Sequence, residues 1–93
     1  MAALSGQKAV TTAGTAVQLG TDKIIGSLLV KALDTNTGVV ALGNDGAGDV
    51  TVSNGLRLEA GECVIFENVF GLDCLYLDSA VDGEGVSWIR LKV

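Results

Sequence analysis

The stretch GSLLVKALD, Gly26 to Asp34, sets the terms for the rest of the chain. Read as a strand, with side chains alternating across the backbone, it puts Leu28, Val30 and Ala32 on one side. Leu29 and Leu33 fall on the other, with Lys31 between them. A strand apolar on both sides belongs between two layers, or has one face covered by another subunit. ECVIFEN, Glu62 to Asn68, has the same character, because Cys63 and Ile65 oppose Val64 and Phe66.

Outward from these two segments the chain reads as strands throughout. KAVTT (8–12), TAVQL (15–19), GVVALGN (38–44), DVTVSN (49–54), DCLYLDS (73–79) and GVSWIRLKV (85–93) are rich in Val, Ile, Leu and Thr. Such residues suit a pleated, half-buried surface. In DCLYLDS, Leu75 and Leu77 read inward, and Cys74, Tyr76 and Asp78 face the other way. In the last segment Ser87, Ile89, Leu91 and Val93 read as core. Val86, Trp88, Arg90 and Lys92 read as the partly wet side.

Turn signals separate the strands at the spacing of a sandwich or barrel. Ala13-Gly14, DTNTG (34–38) and SNG (53–55) offer Asn and Gly for positive φ. EAGE (59–62) places Gly61 in a tight turn. DGEG (82–85) carries the Asp-Gly hairpin dipeptide ahead of the last strand. The sequence therefore predicts an all-β chain, a single small antiparallel β-sandwich or jelly-roll-like barrel of about eight strands. Residues 1–20, the least apolar part, are expected to form an arm and first strands open to ordering by a neighbour. Residues 21–93 are the body of the same single domain.

Of the 93 residues, 48 % are hydrophobic and 13 are glycine. A domain of this size has a thin core, so the apolar surplus points to a partner surface or self-association. The net charge is −5, and Lys8, Lys23, Lys31, Arg57, Arg90 and Lys92 are scattered. Without a basic cluster the chain is not expected to bind nucleic acid or an anionic membrane. No apolar run approaches the ~20 residues of a membrane span, and MAALSGQK lacks the features of a secretory signal. Folding in the cytoplasm of the producing cell is expected.

Chemistry is hard to place. There is no histidine, which removes the commonest general base and zinc ligand. GNDGAGDVTVSNG, Gly43 to Gly55, has the glycines and small acids of a calcium loop. Its oxygen-bearing residues fall out of the register such loops require, so it reads as a flexible loop turning the chain. Cys63 and Cys74 are expected to be free, buried thiols on the two arms of a hairpin centred near Phe70. Cys63 would lie opposite Leu77, and Cys74 opposite Phe66. Glu59 with Glu62, and Asp82 with Glu84, are carboxylate pairs that flank glycine turns and read as solvated acids rather than glycosidic catalysts. Arg57 reads as an exposed strand-edge charge. Trp88 has three readings: packing, a subunit or capsid contact, or stacking on a sugar ring. The residues assigned to an interface are Phe66, Phe70, Trp88 and Arg90. No cofactor and no metal are expected, and the chain is not expected to be an enzyme.

The order of these cues resembles a known pattern. An Ala/Val/Thr-rich opening is followed by the TNTG turn. Next come Val52, Ser53, Gly55, Leu58, Gly61 and Glu62, and then Gly83 to Trp88 as GEGVSW. This resembles small β-sandwich proteins of tailed-phage virions, and most of all capsid decoration (cement) proteins. Ala60 stands where that pattern has proline, and Ser53 and Gly55 are one residue closer than in it. The resemblance implies a homotrimer on the outside of the virion head, bound to the major capsid protein and acting without catalysis. The alternative it leaves is a glycan-binding or fibre-base module on the virion.

Overall fold

The computed structural model describes residues 5–21, 23, 26–43, 50–51 and 54–92. They form eight strands: β1 (Ser5–Ala9), β2 (Val17–Gln18), β3 (Gly26–Ala32), β4 (Val40–Gly43), β5 (Leu56–Leu58), β6 (Cys63–Val69), β7 (Tyr76–Ser79) and β8 (Gly85–Lys92). A short 3-10 turn, Leu72–Cys74, precedes β7. The strands make two four-stranded antiparallel sheets, in the orders β1-β8-β3-β6 and β2-β7-β4-β5. We call the first sheet A and the second sheet B.

The topology has a simple origin. First pairs with last, second with second-to-last, and so inward: β1 with β8, β2 with β7, β3 with β6, β4 with β5. The register carries through the outer three pairs, as Ser5–Ile89, Val17–Leu77 and Leu29–Ile65 show, since each has the same residue-number sum. The chain is one long antiparallel ribbon, doubled at the segment between β4 and β5 and rolled until β8 meets β3 and β7 meets β4. That is the strand order of an eight-stranded jelly roll.

Between the sheets lies one core that includes Leu28, Val30, Leu42, Leu77, Val86 and Trp88. The inward phase of β3 is the expected one, with Leu28, Val30 and Ala32 fully buried, and Leu75 and Leu77 are buried too. The phase of β8 is the reverse of the sequence expectation. Val86 and Trp88 are buried, and Ile89 and Leu91 are exposed. The reason is on the neighbouring strand. Gly6 is the register partner of Trp88, and a Cβ there would come within 2.9 Å of the indole Cζ2. The missing side chain makes the space that lets the indole pack inward.

Three further expectations are corrected. Leu56–Leu58, which the sequence reading leaves between strands, is a strand paired with β4; of the expected strand 49–54, Asp49, Val52 and Ser53 lie outside the described residues. Thr51 and Asn54 bond each other in both directions, at 2.9 and 3.0 Å. Cys63 and Cys74 do not lie on a hairpin, because β6 belongs to sheet A and β7 to sheet B. Both thiols are free and exposed rather than buried. Finally, Asp82-Gly83 turns the chain from sheet B to sheet A instead of closing a hairpin, with Gly83 at φ 81°.

Candidate binding surface

Of the turn signals picked out of the sequence, Ala13-Gly14, DTNTG, EAGE and DGEG meet at one end of the sandwich, where Asn36, Glu62, Asp82 and Glu84 bond backbone groups, while Gly55 lies at the other end beside Leu42. Asn36 is buried. Its amide nitrogen donates to the Gly85 carbonyl at 2.9 Å, and its oxygen accepts from the Gly85 N–H at 3.3 Å. Asn36 and Gly38 were expected to supply positive φ, yet neither has it. Asn36 serves through its amide, which copies a strand partner for Gly85. The glycine itself is needed there, because a Cβ would fall 2.0 Å from the carbonyl oxygen of Lys8.

Glu84 completes the joint. Its carboxylate accepts from the Thr37 N–H (2.6 Å), the Thr37 hydroxyl (2.9 Å) and the Gly38 N–H (3.0 Å). Burial pushes its pKa up, and the three hydrogen bonds from Thr37 and Gly38 outweigh that and hold it below the ordinary glutamate value. The TNTG turn and the GEG passage, far apart in sequence, are thus two halves of one clasp.

The other acids have similar duties. Glu62 accepts from the Glu59 N–H at 2.7 Å and closes the turn at Gly61, whose φ is 82°. Asp82 accepts from the Ala13 N–H at 2.7 Å. Asp78 is buried on the outer side of sheet B, where it accepts from Gly14 (2.9 Å) and Ser79 (2.8 Å). The connection between β1 and β2 is therefore tied down over that face. At the opposite end Lys23 pairs with Asp73. Their mutual hydrogen bond raises the lysine pKa and lowers that of the aspartate. The two carboxylate pairs considered for hydrolysis are accounted for as turn caps, with Glu59 contributing its backbone.

Among the described residues no group of three or more acids, cysteines or histidines is placed to hold a metal ion. The calcium-like reading of Gly43 to Gly55 turns on Asn44, Asp45 and Asp49, which lie outside the described residues. No helix among the described residues is long and apolar enough to cross a membrane.

What the two sheets present outward is unequal. On sheet B, Ala41 and its register partner Asp78 are buried. On sheet A an apolar row crosses three strands, with Ile89 beside Leu29 and Leu29 beside Ile65. Ile65 is 54 % exposed, Ile89 44 % and Leu91, further along β8, 50 %. A shallow depression of about 140 Å³ opens along this row, lined by Leu29, Lys31, Ser87, Trp88 and Ile89.

The residues assigned to an interface are spread out. Trp88 is 7 % exposed and packs into the core over Gly6. Phe66 is half-buried against that core. Arg90 is half-buried opposite Leu28. Phe70, just beyond β6, is 73 % exposed. The apolar row Ile89–Leu29–Ile65 was not assigned in the sequence. Its signal was present in GSLLVKALD and ECVIFEN, whose two faces are both apolar.

Set beside known proteins, the chain matches no family model, no curated relative and no solved structure.

Proposed function

We propose that this protein is an adhesive structural component, most specifically a capsid decoration protein. In this reading it binds the assembled head of a tailed phage from outside and stabilises it without catalysis. The observation that carries the reading is the outer face of sheet A, a row of large apolar side chains facing outward on a rigid sandwich. A continuous row of large apolar side chains on the open face of a sheet is what a contact surface looks like. The order of sequence cues that resembles decoration proteins supports the same reading.

The physics of the role is modest. A ligand that binds the assembled shell and not its separated subunits stabilises the shell by mass action. Rigidity keeps the binding free energy from being lost to ordering. The clasp formed by Asn36 and Glu84 and the tied-down loop at Gly14 give that rigidity. Several joined copies would turn weak contacts into firm attachment. Asp34, Glu59, Glu62, Asp82 and Glu84 gather in turns at one end of the sandwich, which suits a basic patch on a shell. The glycan alternative drew on Trp88, whose indole is packed inward.

The test uses purified protein and undecorated DNA-filled heads. The expected result is saturable co-sedimentation and a higher temperature of DNA release. Saturating protein that neither pellets with heads nor raises that temperature would overturn the reading.

A further inference from the structure

We infer that the outer face of sheet A is covered by the same face of a second copy of this chain, related by a two-fold axis along the row Ile89–Leu29–Ile65. The pairing is that of the free protein in solution: the same face cannot meet a second copy and a shell at once, so shell binding through sheet A would part the two copies.

The argument begins with charge. The chain carries −5 overall, so two copies repel each other over most of their surface. Among the described residues of sheet A's outward phase, the charges are Lys31 on β3 and Glu67 on β6. This face is therefore neutral as well as apolar. It is the place where two acidic chains approach at least electrostatic cost.

The positions of those two charges select the symmetry. Lys31 lies two residues beyond Leu29 on β3, and Glu67 lies two residues beyond Ile65 on β6. The strands are antiparallel, so the two charges sit on opposite sides of the apolar row. Rotation about the row brings each apolar residue onto its own copy and exchanges the sides. Each Lys31 then lies one strand away from the partner's Glu67, a lateral step of roughly 4.8 Å. Two opposite-charge pairs form around an apolar centre. This is an isologous contact of the self-complementary kind, between sheets stacked in near alignment.

Lys31 already meets Asp34 at 3.4 Å. That pair is solvent-exposed and holds the amine weakly, which leaves it able to turn to the partner's Glu67. A threefold ring, the assembly that the family resemblance implies, would instead gather three Lys31 side chains at one level about the axis if these faces turned inward. Like charges there favour the two-fold arrangement.

The same rotation sets Cys63, the register partner of Lys31, under the partner's Glu67. Cys63 is exposed in the single chain, and so is Cys74 at the end of the 3-10 turn, away from this face. The two thiols make an internal comparison.

The experiment measures solution mass and the alkylation rate of each thiol by a bulky maleimide across protein concentration. The expected result is a mass of two chains, with Cys63 slowed at least about tenfold as the dimer fills while Cys74 keeps its rate. Lys31→Glu and Glu67→Lys should each weaken association at least about tenfold, with unchanged circular dichroism. Mixing the two variants should restore a dimer containing one of each, since both cross-pairs are then of opposite sign. A single-chain mass at high concentration, a three-chain mass, equal alkylation of the two thiols in a dimer, or a mixture no tighter than either variant would overturn the inference.

Discussion

Asn36 shows how much one buried amide does in a chain this small. It gives the Gly85 backbone both a donor and an acceptor where the strand ladder stops. Asn36→Ala removes both and leaves the buried Gly85 N–H without its acceptor, while the Gly85 carbonyl keeps the Leu33 N–H at 3.1 Å; it should cost about 1–3 kcal/mol of stability, read as a lower urea midpoint at unchanged slope. Glu84 acts from the other half of the joint, and its effect depends on pH. Its folded-state pKa is lowered, so its contribution is complete above the ordinary glutamate range. That contribution is lost as pH falls through the lowered value. The stability gap between the wild type and Glu84→Gln should therefore be constant near neutrality and close in acid. A gap that persists unchanged to the lowest pH at which the chain folds would show that the carboxylate is not the source. At this scale the sequence showed that TNTG and GEG punctuate the chain. It did not show that they touch, because the contact joins residues far apart along the backbone. Nor did it show that Asn36 is chosen for its side chain rather than for its φ.

The strands were legible as elements, and β8 shows where their reading failed. GVSWIRLK has a large apolar group in each phase, so alternation alone assigns no inside. Val86 and Trp88 are matched in number by Ile89 and Leu91, and Arg90 with Lys92 makes the Trp88 phase look wet. The deciding fact is Gly6, on a strand almost the whole chain away. The structure makes the difference measurable. Trp88→Ala should cost about 3–5 kcal/mol, as for other large buried aromatics. Ile89→Thr, at dilutions where the chain is single, should change stability by no more than about 0.5 kcal/mol. Equal losses at the two positions would mean that β8 does not sit in this phase. β5 escapes the reading for a related reason: Leu56–Leu58 is short and set between Gly55 and Gly61, while strand composition lies upstream in DVTVSN.

At the scale of the whole molecule the all-β sandwich was legible, and its winding was not. Turn residues mark where strands stop, but a turn such as Asp82-Gly83 looks the same whether it closes a hairpin or crosses between sheets. The order β1-β8-β3-β6 and β2-β7-β4-β5 follows from pairings such as Ser5 with Ile89. Contacts that remote are slow to form, so refolding should take milliseconds to seconds. Stopped-flow tryptophan fluorescence will show this, since Trp88 lies in the core on β8, between β1 and β3.

Part of the apolar surplus noted in the composition forms a continuous row on the outer face of sheet A, with Leu56, Phe70 and Val81 exposed singly elsewhere, while sheet B is closed over Asp78 by the loop at Gly14. That asymmetry is the central claim, and the solution mass of the wild type beside the double variant Ile65→Thr, Ile89→Thr tests it most directly. The wild type should be heavier than one chain at micromolar concentration, and the variant should be a single chain with an unaltered unfolding curve. A wild type that stays a single chain at every concentration, or a variant that associates just as well, would contradict it.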